Sequence, residues 1–116
     1  TFLYPNGKII IFTLNPINNE IPTFSIMKKK LKKALIRDKN IIKSIWYSFE
    51  GKFVRSFSYK VKISKRKYME MVDSKYISVL LGMSQKTISS GLDEIKRKYK
   101  KQISFKDKLI CLVLNR

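Results

Sequence analysis

Residues 80–101, LLGMSQKTISSGLDEIKRKYKK, admit two incompatible parsings. Taken as helix, turn, helix, the stretch is the reading half of a DNA-binding unit. Ile77, Leu81 and Met83 then supply the apolar positions of a first helix and its turn, Gly82 the turn itself, and Thr87, Ile88, Leu92 and Ile95 the start of a second helix. Taken as strand, loop, helix, the same residues make a hydroxyl-rich loop of the kind that grips RNA. Intrinsic propensity favours the second parsing. A helix starting at Ser84 or Gln85 carries Thr87, Ile88, Ser89, Ser90 and Gly91 in succession, each costing roughly 0.5 to 1 kcal/mol relative to alanine, about 3 kcal/mol together. Ser90 followed by Asp93 reads as a capping box, with Asp93 and Glu94 in the first turn and Lys96, Arg97, Lys98, Lys100 and Lys101 toward the C-terminal end. Both signals predict a helix beginning near Gly91, with Leu81 and Gly82 entering a strand and SQKTISSG as an exposed loop. A plain polar turn accounts for that loop equally well, because serine and threonine favour turns in any case.

Outward from this stretch, the chain of 116 residues is long enough for one ordinary domain or two very small ones, and too short for a large catalytic cavity. Its 26 lysines and arginines against eight acids give a net charge of +18, which repels itself in the compact state unless a polyanion neutralises it. Nucleic acid is therefore the expected partner, and an anionic membrane surface the lesser option. The single cysteine, Cys111, and the absence of histidine exclude an internal disulfide, a Cys/His zinc site and a histidine-based triad. The carboxylates are scattered. The adjacent pair Asp93 and Glu94 points in different directions on a helix, so catalysis, a cofactor and a small-molecule substrate are not expected. No apolar run approaches a membrane span. Twenty-one lysines and 16 isoleucines beside one alanine, Ala34, are the residue usage of a very AT-rich gene.

Near the start, Pro5-Asn6-Gly7 between apolar runs suggests a hairpin, although residues 9–14 read equally as buried helix. Residues 15–23 are loop by their Asn and Pro content. Met27, Leu31, Ala34 and Leu35 then recur at helical spacing within a lysine-rich surface, predicting an amphipathic helix capped by Ser25 and stopped at Asn40. IIKSIWYSF and KFVRSFSYKVKI, joined at Glu50-Gly51, read as a β-hairpin in which Phe53, Phe57 and Tyr59 alternate as core residues. KLICLVL near the end reads as a buried strand. The expected class is α+β.

The order and spacing of these pieces resemble small-subunit ribosomal protein eight of bacteria and organelles. The family pattern runs Ile-Ser, then Leu-Gly, Ser-Thr-Ser-Lys-Gly, a helix, and an end strand with Leu-Cys. Here Ile63-Ser64, Leu81-Gly82, then Thr87, Ile88, Ser89 and Ser90 ahead of Gly91, and Leu109–Cys111 stand at those positions. The Pro-Gly that follows Ile-Ser in the family is replaced by Arg66-Lys67. The likeness spans residues 21–113 and implies two small α/β modules: residues 1–62, a helix with a hairpin, and residues 63–116, a strand-loop-helix-strand unit that binds RNA. It implies a non-catalytic constituent of the ribosomal small subunit, in a mitochondrion by its residue usage, that binds the central domain of small-subunit rRNA beside neighbouring ribosomal proteins. In that reading Lys65, Arg66, Lys67, Lys86 and Lys106 neutralise phosphates, while Thr87, Ser89, Ser90 and the backbone at Gly91 enter a shallow groove. The rival expectation is a helix-turn-helix regulator or replication initiator from an AT-rich virus or plasmid. A weaker one is a peripheral membrane protein using the helix that begins at Ile26.

Overall fold

The computed structural model describes residues 7–17 and 19–115. Pro5 and Asn6, on which the opening turn rests, lie outside the described residues. The elements in order are β1 Lys8–Leu14, α1 Ser25–Tyr47, β2 Gly51–Ser64, α2 Lys65–Asp73, a 3₁₀ turn Ser78–Leu80, α3 Gln85–Lys98 and β3 Gln102–Asn115. The class is α+β, with one antiparallel sheet in the order β1-β3-β2. β3 lies between the two strands of the first 64 residues, and the boundary expected at 62/63 falls inside β2. Its apolar run KLICLVL occupies the centre of the sheet, as a strand buried on one face and paired on both edges should.

Expectations are corrected in two stretches. The helix does not stop at Asn40. α1 continues to Tyr47, so residues 41–47 are helix and the hairpin at Glu50-Gly51 does not form. The reason is tertiary. Met27, Leu31 and Leu35 are buried, and Ile42 and Trp46 carry the same stripe on to a groove shared with Val54, Ile110 and Leu112 of the sheet. β-branched residues are poor helix formers by only a few tenths of a kcal/mol, and an apolar stripe facing a sheet outweighs that. Ser25 is also not the N-cap. That place belongs to Phe24, which has no capping side chain.

The second correction concerns the opening stretch. α3 begins at Gln85, so SQKTISSG is not a loop and Ser90 with Asp93 is not its cap. Ser84 is the cap: its hydroxyl accepts from the Thr87 amide at 3.2 Å and lies 2.9 Å from the Thr87 hydroxyl. A cap of this kind contributes about 1 kcal/mol. Ile88 and Ile95 are fully buried, at roughly 1.5 to 3 kcal/mol each. Cap and burial together exceed the propensity cost of about 3 kcal/mol, so the helix starts one turn and a half earlier than its residue preferences suggest.

The helical core contains Phe24, Met27, Tyr68, Val72, Leu80, Met83, Ile88, Ile95 and Ile103. Gly91 is essential to its geometry: a Cβ there would lie 2.6 Å from the ring carbons of Phe24. The close approach that this glycine permits is therefore taken by Phe24. Tyr68 spans the core and donates to the Pro22 carbonyl, with the Tyr76 hydroxyl 3.0 Å away. Burial first, and the neighbouring Tyr76 next, push the Tyr68 phenol far above its ordinary pKa.

Candidate nucleic-acid interface

α2 and α3 pack against each other, and the connection between them, residues 74–84 with the 3₁₀ turn, is held from both ends. After α2 the chain reverses at Lys75, which adopts a left-handed φ of 54°. Its ammonium group donates to the Met83 carbonyl at 3.1 Å and so ties the end of α2 to the residue before the α3 cap. Leu81 and Gly82 form the bend between the 3₁₀ turn and α3, not the entry of a strand. Gly82 is exposed, with nothing within 4 Å of where a Cβ would be.

Beside the buried Phe24 and Met27, one carboxylate ties the start of α1 to α3. Glu94 receives the Ser25 amide at 2.8 Å and the Ser25 hydroxyl, standing in for the capping side chain that Phe24 lacks. The Ser25 hydroxyl and amide, with Lys98 and Arg97 nearby, hold the Glu94 carboxyl below the usual carboxylate range. A negative charge at the first turn of α1 also suits the helix dipole. Tyr99 adds a second clasp, its hydroxyl 3.0 Å from the Thr23 amide.

With its inner face fixed, α3 turns Gln85, Lys86, Ser89, Ser90, Lys96 and Arg97 to solvent. Asp73 steadies Gln85 through a 3.3 Å contact with its amide. The expected site residues divide accordingly. Lys86, Ser89 and Ser90 are brought together near the start of α3, with Thr87 half-buried and occupied by the Ser84 hydroxyl. Gly91 is buried and is not open to a ligand. Lys65 donates to the carbonyls of Lys96 at 2.8 Å and Tyr99 at 3.2 Å, so it caps the far end of α3. Arg66 and Lys67 lie exposed beside it, Arg66 within 3.6 Å of Glu70. Lys106 is apart from all of these. Along β3 it alternates with Ile103 and Phe105, which pack on the helical core, so it points to the opposite face. There it is opposite Lys60 in register, a like-charge pair that only an anion or solvent relieves.

Gln85, Lys96 and Arg97 were not among the expected RNA contacts, although all three lie within the recognition helix, residues 84–98, of the rival reading; a groove of about 510 Å³ between α1 and the turn, to which Lys30, Lys33, Arg37, Ser78 and Gly82 contribute, was not expected at all. The signal for α3 was present in Ile88, Leu92 and Ile95 at helical spacing behind the Ser84-x-x-Thr87 hydroxyl pair. The groove had no local signal, because it joins side chains more than 40 residues apart. Among the described residues three ion pairs form, at Arg37, Arg66 and Lys108, so most of the positive charge faces solvent. No helix of the described residues is long and apolar enough to cross a membrane. No family model matches the chain, and neither does a curated protein or a solved structure.

Proposed function

We propose that this chain binds duplex DNA, with the first half of α3 presented to the major groove, as a regulator or replication initiator would. The observation that carries the reading is the exposed set Gln85, Lys86, Ser89 and Ser90 on a helix whose other face is locked by Ile88, Gly91 and Ile95. A rigid helix bearing short donors and acceptors is what base edges require. A glutamine can pair with adenine through two hydrogen bonds, a lysine with guanine, and a serine with either. Lys96 and Arg97 further along α3, and the cations of the groove beside the turn, would meet phosphates and set register.

The ribosomal reading has less support. It needs Thr87, Ser89 and Ser90 on a loop open to RNA with Gly91 beneath it, whereas these residues lie on a helix and Gly91 lies under Phe24.

The discriminating experiment is binding of the purified protein to a random-sequence duplex library and to an irregular rRNA hairpin at two salt concentrations. The expected outcome is enrichment of a short duplex motif whose preference is lost in Gln85→Ala and Ser89→Ala while the slope of affinity against salt stays the same. Affinity for both nucleic acids alike, collapsing with salt and indifferent to those substitutions, would leave generic electrostatics alone and defeat the proposal.

A further inference from the structure

Along the sheet, side chains alternate between two faces. One face carries the exposed lysines of β2, Lys52, Lys60 and Lys62, and the buried Ile110, Leu112 and Leu114 that turn toward α1. The other face runs across all three strands by register. Ile10 and Phe12 of β1 pair with Val113 and Cys111 of β3, which pair in turn with Phe53 and Arg55 of β2, and Leu109 pairs with Phe57. In β1 and the adjoining half of β2 this second face is uncovered. Ile10 is 68% exposed, Phe12 56%, Phe53 54% and Tyr59 52%. The rings are already ordered against each other, with Phe12 and Phe57 centroids 5.6 Å apart and Phe57 stacked on Tyr59 at 6.5 Å.

We infer that this open face is where a second copy of the chain docks, sheet against sheet. Charge selects the partner class. In a chain of +18, the charged groups on this face among the described residues are Lys8 at its end, Arg55 lying over the Phe53 ring, and Asp107 opposite Tyr59. An acidic protein or a polyanion is drawn to the lysine-bearing surfaces instead, and this face suits an uncharged apolar one. Two copies meeting here also bring together their least repulsive surfaces. Area is sufficient. With about 200 Å² for a whole aromatic side chain, the face offers on the order of 500 Å² of apolar surface per copy. A continuous patch of that size marks an interaction site, and two of them apposed remove about 1,000 Å², the lower limit of a specific interface. A two-fold pair would also present two α3 helices, as a helix-turn-helix protein reading paired half-sites does. That last support rests on the duplex reading, but self-association does not, and it is measured without nucleic acid.

The test is sedimentation equilibrium of the chain and of the Ile10→Lys/Phe12→Lys double variant, at micromolar concentration and moderate salt. Both substituted positions are exposed, and circular dichroism establishes that the variant is folded; Phe53→Glu serves if it is not. The expected result is a species of twice the chain mass for the wild type and a monomer for the variant, with Cys111 reacting with a maleimide several-fold faster in the variant. Monomers in both, or dimers in both, would overturn the inference. So would a monomeric wild type whose affinity for a homopyrimidine single strand falls on Tyr59→Ala and Phe53→Ala, which would make the face a base-stacking platform instead.

Discussion

At the helical end Val72, Leu80, Ile88 and Ile95 have no exposed surface, whereas at the sheet end Ile10, Phe12 and Phe53 stand more than half exposed. Both ends are apolar in sequence. The difference lies in what covers them: α1, α2 and α3 close around one core, while the sheet has α1 on one face only. A closed end tolerates change poorly inside and freely outside, and an open end does the reverse, since its apolar residues wait for a partner. Substitutions of similar chemistry at the two ends should therefore have opposite signatures.

Ile88→Ala should have the largest effect, a loss of roughly 2 to 5 kcal/mol, because the side chain is fully buried and the cavity cannot collapse between three helices. Phe12→Ala removes more atoms and should cost the monomer under about 1 kcal/mol, because more than half of the ring is exposed in the single chain. Thermal and denaturant unfolding of the two variants measures the contrast directly. Equal losses that persist on dilution below the range of self-association would mean that the sheet face is covered within the chain.

Next in size is Gly91→Ala. Alanine is the better helix residue by about 1 kcal/mol, yet its methyl would sit 2.6 Å from the Phe24 ring. The ring is packed between α1 and α3 and has no free end to move, so overpacking of about 1 to 3 kcal/mol should exceed the gain. A stabilised Gly91→Ala protein would show that α1 is looser on α3 than the contacts imply. Phe24→Leu in the same background should recover part of the loss.

These positions also show how far the chain could be read before its fold was known. The α+β class, the buried end strand and the stripe Met27, Leu31, Leu35 were legible because each is a periodicity within one element. The start of α3 was not, since the local ledger counts propensities and the deciding quantities are burial of Ile88 and contact of Gly91 with a ring 67 residues away. The extension of α1 failed likewise: Ile42 and Trp46 look like strand residues until a sheet face lies beside them. Of the expected site residues, Lys86, Ser89 and Ser90 were read as part of a loop, whereas they stand on the exposed side of α3. Glu94 was placed in the first turn of a later helix, whereas it stands well inside α3 and caps a different one.

A smaller effect is expected for charge on the exposed side of α3. Lys96→Gln and Arg97→Gln together should lower duplex affinity for all sequences alike and reduce the slope of log affinity against log salt by up to about 2, one phosphate for each cation lost. Folding should be unaffected, as both side chains are solvent-exposed. A change in sequence preference with an unaltered slope would move the base-reading surface toward the C-terminal end of α3.

The smallest effect belongs to the joint between α1 and α3, and its sign follows from the Glu94 carboxyl. Hydrogen bonds from Ser25 hold its folded pKa below the ordinary 4.5, so the folded state binds this proton less readily than the unfolded chain. The stability it contributes is thus fully present above about pH 4.5 and is lost as pH falls through the depressed value. Glu94→Gln keeps two polar atoms near the Ser25 amide but removes the charge and the titration. Its unfolding midpoint should sit slightly below wild type at neutral pH, and the two curves should converge on acidification. Glu20, lowered by the hydrogen bond from Lys108, titrates in the same range and is common to both proteins, so it cancels in the difference. Parallel curves down to pH 3 would mean that Glu94 does not cap α1 in solution. The orientation of the basic helix beside the turn would then depend on the buried Phe24 and Met27 and on the Tyr99 clasp.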